Sequence, residues 1–274
     1  MPIFYSVIFI LLSSSAFAGT FYVDDIDSQR GSGTVGDPFR FLQPAIDYAS
    51  DFDTLIIAEG EYEAIPSPFT ENLCGNCAMH KTEVHASVGF TIKNKPLTLI
   101  GAGASNTLLV TNAGYGLYIE NSTPTYISGL ALTGGIRDAD GAATDGGIVV
   151  RGSRVAVIDC AVKGNTHRDT TVVVGIGGIF GREGAELFVI GNLIEDNGWD
   201  GIALYRGATA YISGNVIDKG RGAGIGVTWD AAATVQGNRI FGYWKGIGSF
   251  GDSRVIARNN EVFDNIGWGI IAAG

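Results

Sequence analysis

Positive charge is scarce in this chain. Its 274 residues hold 18 lysines and arginines against 28 aspartates and glutamates, a formal net charge of −10 and a pI of about 4.7. A surface of that sign repels nucleic acid and anionic membranes, so neither is an expected partner. It also repels an acidic polysaccharide unless calcium or a local arginine cluster reverses the field. Long apolar runs are lacking as well. Residues 3–12 form the one marked run, and it is short for a membrane span. Ala16, Phe17 and Ala18 follow it in a small-x-small cleavage pattern, so residues 1–18 read as a secretory signal. The expected product is a secreted or periplasmic domain over residues 19–274. Cysteine and histidine are rare, with three of each, which leaves few side chains for metal or nucleophilic chemistry.

Glycine is abundant, at 41 residues, and it is patterned. Gly116-Leu117, Gly147-Ile148, Gly178-Ile179, Gly201-Ile202, Gly224-Ile225, Gly246-Ile247 and Gly269-Ile270 recur at spacings of 31, 31, 23, 23, 22 and 23 residues. A repeat of this length predicts a solenoid whose units bury their apolar face only by stacking. Asn192, Asn215, Asn238 and Asn260 run in phase, each followed two residues on by Ile194, Ile217, Ile240 or Val262. Carried back, the asparagine column falls on Cys160 and Leu130. Each coil therefore reads as two or three short strands joined by glycine turns, with coils about 4.8 Å apart as parallel strands. Stacked asparagines at a bend bond to backbone and to one another, so their default role is structural.

These columns resemble the pectin-lyase-like right-handed parallel β-helix superfamily, over roughly residues 90–274. Residues 21–25, 37–39, 41–48 and 53–62 resemble its opening coil. The resemblance implies an all-β, single-stranded right-handed parallel β-helix with an N-terminal capping helix, for which Leu42, Ala45, Ile46 and Ala49 give the apolar stripe. Gly274 falls inside the coil begun by Gly269-Ile270, so C-terminal coils and a cap are expected beyond it. The marks of pectate lyases, polygalacturonases and alginate epimerases are not found, so their catalytic residues cannot be carried over.

The turns between the asparagine strand and the Gly-Ile strand are long in two adjacent coils, residues 133–146 and 163–177. Together they predict a wall beside a floor of shorter turns. Asp138, Asp140 and Asp145 in the first loop make a loose calcium-type set, or a polar surface loop. His167 and Asp169 in the second form a candidate acid–base pair, or an exposed turn. Strand alternation stacks Glu120, Arg151 and Arg182 on one outer face, with Glu183, Arg206 and Trp229 one position on. Polysaccharide lyases of the superfamily use a basic residue on such a face with calcium, which makes Arg151 and Arg182 candidate bases. The other reading is a Glu-Arg surface ladder. Trp199, Tyr205, Trp229, Tyr243, Trp244 and Trp268 are expected to cluster on the floor, suited either to sugar stacking or to packing over the turns. Asp200 and Lys245 flank that row and are the other polar candidates, Asp200 for catalysis and Lys245 for substrate binding.

Cys74 and Cys77, with His80 and His85 close behind, read as a disulfide or a zinc set; Cys160 reads as buried and inert. Three functions follow. One is action on a polysaccharide, with calcium as a possible cofactor. The second is non-catalytic binding of a glycan or surface. The third, a role of some periplasmic β-helices, is metal-site maturation.

Overall fold

A computed structural model describes residues 18–25, 31–168 and 170–274. Most of the signal-sequence reading, residues 1–17, and Asp169 lie outside the described residues. Among the described residues the chain winds through three long sheets of nine, eight and nine strands. Sheet I runs from Thr20–Val23 to Arg254–Arg258, sheet II from Gly60–Glu63 to Glu261–Val262, and sheet III from Val84–Lys93 to Trp268–Ala273. Within each sheet, equivalent strands of successive coils pair in parallel. One strand departs from this: Ser67–Glu71 pairs antiparallel with Val84–Lys93 at the end of sheet III.

The repeat maps directly onto the register. Phe90, Leu117, Ile148, Ile179, Ile202, Ile225, Ile247 and Ile270 are successive Cα partners in sheet III. All but Ile270 are fully buried, in one core that fills the coil from end to end. At the N-terminal end the helix Leu42–Tyr48 turns Leu42, Ala45 and Ile46 onto this core. Lys95 Nζ donates to the carbonyls of Asp47 (3.1 Å) and Ala49 (2.7 Å) at the helix's C-terminus, where a cation meets the unsatisfied carbonyls.

The asparagine column forms a continuous ladder. Asn215 Oδ1 accepts from the backbone N–H (2.8 Å) and the side-chain amide (2.9 Å) of Asn192. Asn215 Nδ2 donates to Val189 O (2.9 Å) and Asn238 Oδ1 (2.8 Å). Asn238 repeats the pattern on Asn260, and at the far end Cys160 N–H donates to Asn192 Oδ1 (2.9 Å). A shorter ladder stands at the next bend, where Asn165 donates to Asn197 Oδ1 (2.9 Å). There the column passes through Gly220 and Tyr243. A Cβ on Gly220 would lie 2.1 Å from the Tyr243 ring, so the glycine makes room for that ring in the core. Tyr243 is accordingly a core residue, fully buried, and not part of the floor of surface aromatics.

Each coil turns three corners, and at each a residue takes positive φ. After sheet I the corner residues are Gly129, Asp159, Gly191, Gly214, Gly237 and Asn259; after sheet II they are Gly134, Gly164, Asp196, Lys219, Gly242 and Asp264. After sheet III they are Asn94, Asn121, Gly152, Glu183, Arg206, Trp229 and Gly251. Glycine, asparagine and aspartate take this conformation readily, whereas other residues lose about 1–2 kcal/mol in it. Among these corners the exceptions are Lys219, Glu183, Arg206 and Trp229. Lys219 has a local reason, since its ammonium pairs with Glu195 (2.9 Å) and Asp218 (3.5 Å).

Asn215→Ala strips one acceptor from two Asn192 donors and one donor from Val189 O in a dry bend. Denaturant unfolding should show a loss of about 3 kcal/mol, and Asn260→Ala, at the ladder's half-exposed end, a smaller one. Equal losses at the two positions would mean that the ladder is not what stabilises this edge.

Candidate functional site

The outer face of sheet III is not open along its whole length. The hairpin of Ser67–Glu71 and Val84–Lys93, with its connecting segment 72–83, folds back over that face. A small second core forms beneath it from Cys74, Val84, Ala86, Val88, Tyr115, Tyr118, Ala143 and Val149. Cys74 and Cys77 are joined as a disulfide within the connecting segment. His80 and His85 diverge from it. His85 pairs with Glu83 (3.2 Å), whereas His80 Nε2 lies 3.7 Å from Glu183 Oε1.

Glu120, Arg151 and Arg182 are register partners, as strand alternation requires. Glu71, carried in by the hairpin, neutralises the column from above. It pairs with Arg182 and accepts from Tyr115 Oη (2.7 Å), with its other oxygen 3.7 Å from Arg151. Arg151 also pairs with Glu120 at 2.9 Å. The Arg182 side chain has no exposed surface. Burial works against its charge, but Tyr115, Glu71 and Glu183 outweigh that and push its pKa up. Arg182 is thus sealed and permanently protonated, out of reach of a ligand and unfit as a base. Arg151 keeps a quarter of its side chain exposed.

The loops 133–146 and 163–177 do lie side by side. Ile136 bridges His167, and Arg137 Nε donates to Val174 O (2.8 Å). Their carboxylates face different donors. Asp138 accepts from Ser87 N–H (2.9 Å) and Oγ (2.7 Å), Asp140 from His85 N–H (2.8 Å), and Asp145 pairs with buried Arg137. Burial pushes Asp145 up to about 7 against the pull of Arg137. Among the described residues no three His, Cys, Asp or Glu side chains converge as a metal cage. His167 sits exposed on the loop, and its carbonyl accepts from Arg137 N–H (3.0 Å). A groove of about 360 Å³ runs between this wall and the turns at Asp196, Lys219 and Gly242.

The aromatics do not form one flat row. Trp244 and Trp268 meet edge to face, with centroids 5.8 Å apart. Gly222 separates Trp199 from Trp244 in the stack, its N–H donating to Trp199 O (3.4 Å) and its carbonyl accepting from Lys245 N–H (3.1 Å). Tyr205 is buried, with its ring edge on Phe180. Lys245 lies 5.7 Å from the Phe250 centroid.

The three unexplained corner residues converge instead. Glu183, Arg206 and Trp229, with His80, Asp230 and Asp252, line a cleft of about 530 Å³ at the edge of the folded-back segment. Arg206 lies over the Trp229 ring at 4.0 Å and donates to Cys77 O, while Trp229 Nε1 donates to Asn76 Oδ1 (3.2 Å). The segment thus clamps two corner side chains. Glu183 has Arg182 Nε at 3.3 Å, yet neither of its carboxylate oxygens accepts a hydrogen bond. Burial raises the Glu183 pKa, against the pull of Arg182. Burial, then the charges of Arg206, Arg182 and Arg151, lower that of His80. A neutral imidazole and a carboxyl that holds its proton unusually well therefore face each other, a pair suited to proton transfer. Strand alternation places Glu183, Arg206 and Trp229 together; the joining of His80 to them is a contact of the insertion that no period announces.

Asp200 lies half-buried outside this cleft and accepts from Ala223 N–H (2.6 Å). Burial pushes it up to about 6, with that hydrogen bond and Lys245 opposing. Between about pH 4 and about 6 the folded chain keeps a proton that the unfolded chain releases, so stability falls as pH rises through that window. Asp200→Asn should match the wild type near pH 4 and exceed it near pH 7 in thermal unfolding. Parallel profiles would contradict the burial of this carboxyl.

No curated protein matches the sequence. Among solved structures, a pectin methylesterase in complex with a hexasaccharide is similar at 11% identity and TM-score 0.41, over 88% of each chain. ORF18 of Geobacillus virus E2 shares 15% identity over 80% of this chain and 55% of its own, with TM-score 0.32. A mannuronan C-5 epimerase A-module from Azotobacter vinelandii shares 13% over 85% and 88%, with TM-score 0.19. The family described as the right-handed β-helix region matches residues 69–274, and this chain belongs to it.

Proposed function

We propose that the protein acts on a glycan, which it holds in the cleft of Glu183, Arg206 and Trp229. The observation that carries this reading is the corner column. Three consecutive coils place glutamate, arginine and tryptophan where the backbone favours glycine or asparagine, and all three line one cleft. Strain that a fold tolerates in a cluster, beside a cavity, marks a functional site more often than a structural one. Trp229 supplies an amphipathic ring fixed by Asn76, suited to the face of a sugar. Glu183, a carboxyl whose proton affinity burial raises, and His80, an imidazole whose affinity burial and the nearby arginines lower, meet in the cleft, which equips it for proton transfer to a bound sugar as well as for binding. No helix among the described residues is long and apolar enough to cross a membrane, and the proposed site of action is outside the cytoplasm, following the signal-like N-terminus.

The test is a glycan panel read by tryptophan fluorescence, with reducing-end and unsaturated-uronate assays in parallel. Trp229→Ala should weaken binding at least about tenfold. Glu183→Gln should leave binding within about threefold while abolishing any turnover. Binding that survives Trp229→Ala and disappears with Trp244→Ala would move the site to the Trp244–Trp268 pair. Binding without turnover in the wild type would assign the cleft a recognition role alone.

A further inference from the structure

The cleft's charge names the class of glycan, an inference that rests on the glycan reading above. An acidic chain accepts an acidic polymer only where a local arginine cluster reverses the field. The arginines of sheet III are in place, but their charge is already matched. Arg182 lies between Glu71 and Glu183, and Arg151 between Glu71 and Glu120. Arg206 is stacked on Trp229 and tied to Cys77 O. The cleft mouth is left to carboxylates. Asp230 uses one oxygen on Gly207 N–H (2.8 Å), and Asp252 is exposed. Glu183 stands further in, with both oxygens out of contact with solvent and without a hydrogen bond. Two carboxylates, Asp230 and Asp252, thus stand at the cavity mouth against one committed guanidinium. Carboxylates at a cavity mouth favour a ligand that brings a donor, and a cationic donor above all.

We infer that this cleft selects a sugar bearing a free, protonated amino group, such as a hexosamine unit of a deacetylated amino-sugar polymer, over a uronate. The ring lies against Trp229, and the ammonium is held by Asp252 and Asp230 at the mouth. Uronates meet like charge at the same points. The chain's net charge of −10 works in the same direction at longer range, attracting a polycation and repelling a polyanion.

The experiment is a calorimetric titration at about pH 6, where such amines are largely protonated. The ligands are a glucosamine hexamer, its fully N-acetylated counterpart and a galacturonate hexamer, at low and raised salt. The expected result is that the glucosamine hexamer binds about tenfold more tightly than the acetylated one. The uronate should be the weakest of the three, and the preference should shrink with salt and with Asp252→Asn or Asp230→Asn. Asp252 is exposed, so that variant does not depend on a buried contact. Equal or tighter binding of the acetylated or uronate hexamer, lost in Trp229→Ala, would overturn the selection and leave the glycan site standing. A preference for the amine that neither aspartate variant reduces would also overturn it, by assigning the effect to the chain's overall charge. Failure of all three hexamers to bind would overturn the glycan reading itself, and this inference with it.

Discussion

The constraint on which this structure depends is the corner. Coils stack in register only if every coil turns at the same three places, and each turn asks one residue for positive φ. Fifteen of the corners after sheets I and II and at the two ends of sheet III answer with glycine, asparagine or aspartate in the run from Asn94 to Asp264, and the regular rod follows from that obedience. Between them the inward columns of leucine, isoleucine and valine seal a dry core, and the Asn192–Asn260 ladder meets the polar needs of one bend without water. A rod built this way has little choice over its inside. Its freedom lies in the outward side chains and in whatever the turns insert.

The chain uses that freedom at one end of sheet III. The hairpin and segment 72–83 cover the first coils, bury a Glu–Arg network and reach as far as the coil of Trp229. Their last contacts, from Asn76 and Cys77, fix the orientation of Trp229 and Arg206. The same insertion lowers the polarity around Glu183 and His80, which moves their proton affinities toward each other. Cover, clamp and electrostatic tuning are therefore consequences of one segment lying on one face. The buried arginines beneath it hold the segment in place and leave the cleft's mouth to Asp230 and Asp252.

What was legible in the sequence is what repeats. The Gly-Ile step and the Asn192 column each appear four or more times, and a period states register and facing together. Alternation then placed Glu120, Arg151 and Arg182 in one stack and Glu183, Arg206 and Trp229 in the next. Single events were not legible. Glu71 meets Arg182 across a separation of 111 residues, a contact made once. Tyr243 reads as a surface aromatic until Gly220, one coil earlier, is seen to vacate the space its ring enters. The second ladder was readable, since Asn165 and Asn197 keep the same spacing as Cys160 and Asn192, but Gly220 and Tyr243 interrupt it. The departure of Glu183, Arg206 and Trp229 from corner chemistry, on which the glycan proposal rests, becomes visible only once the corners are known.

The central claim is that these three corner side chains hold a ligand. A crystal structure with a bound glucosamine hexamer tests it most directly. The account predicts sugar density against Trp229, with an amino nitrogen at hydrogen-bonding distance from Asp252 or Asp230. An ordered oligosaccharide on another face, along the Thr166–Gly242 groove or over Trp244 and Trp268, with the Trp229 cleft empty, would contradict it.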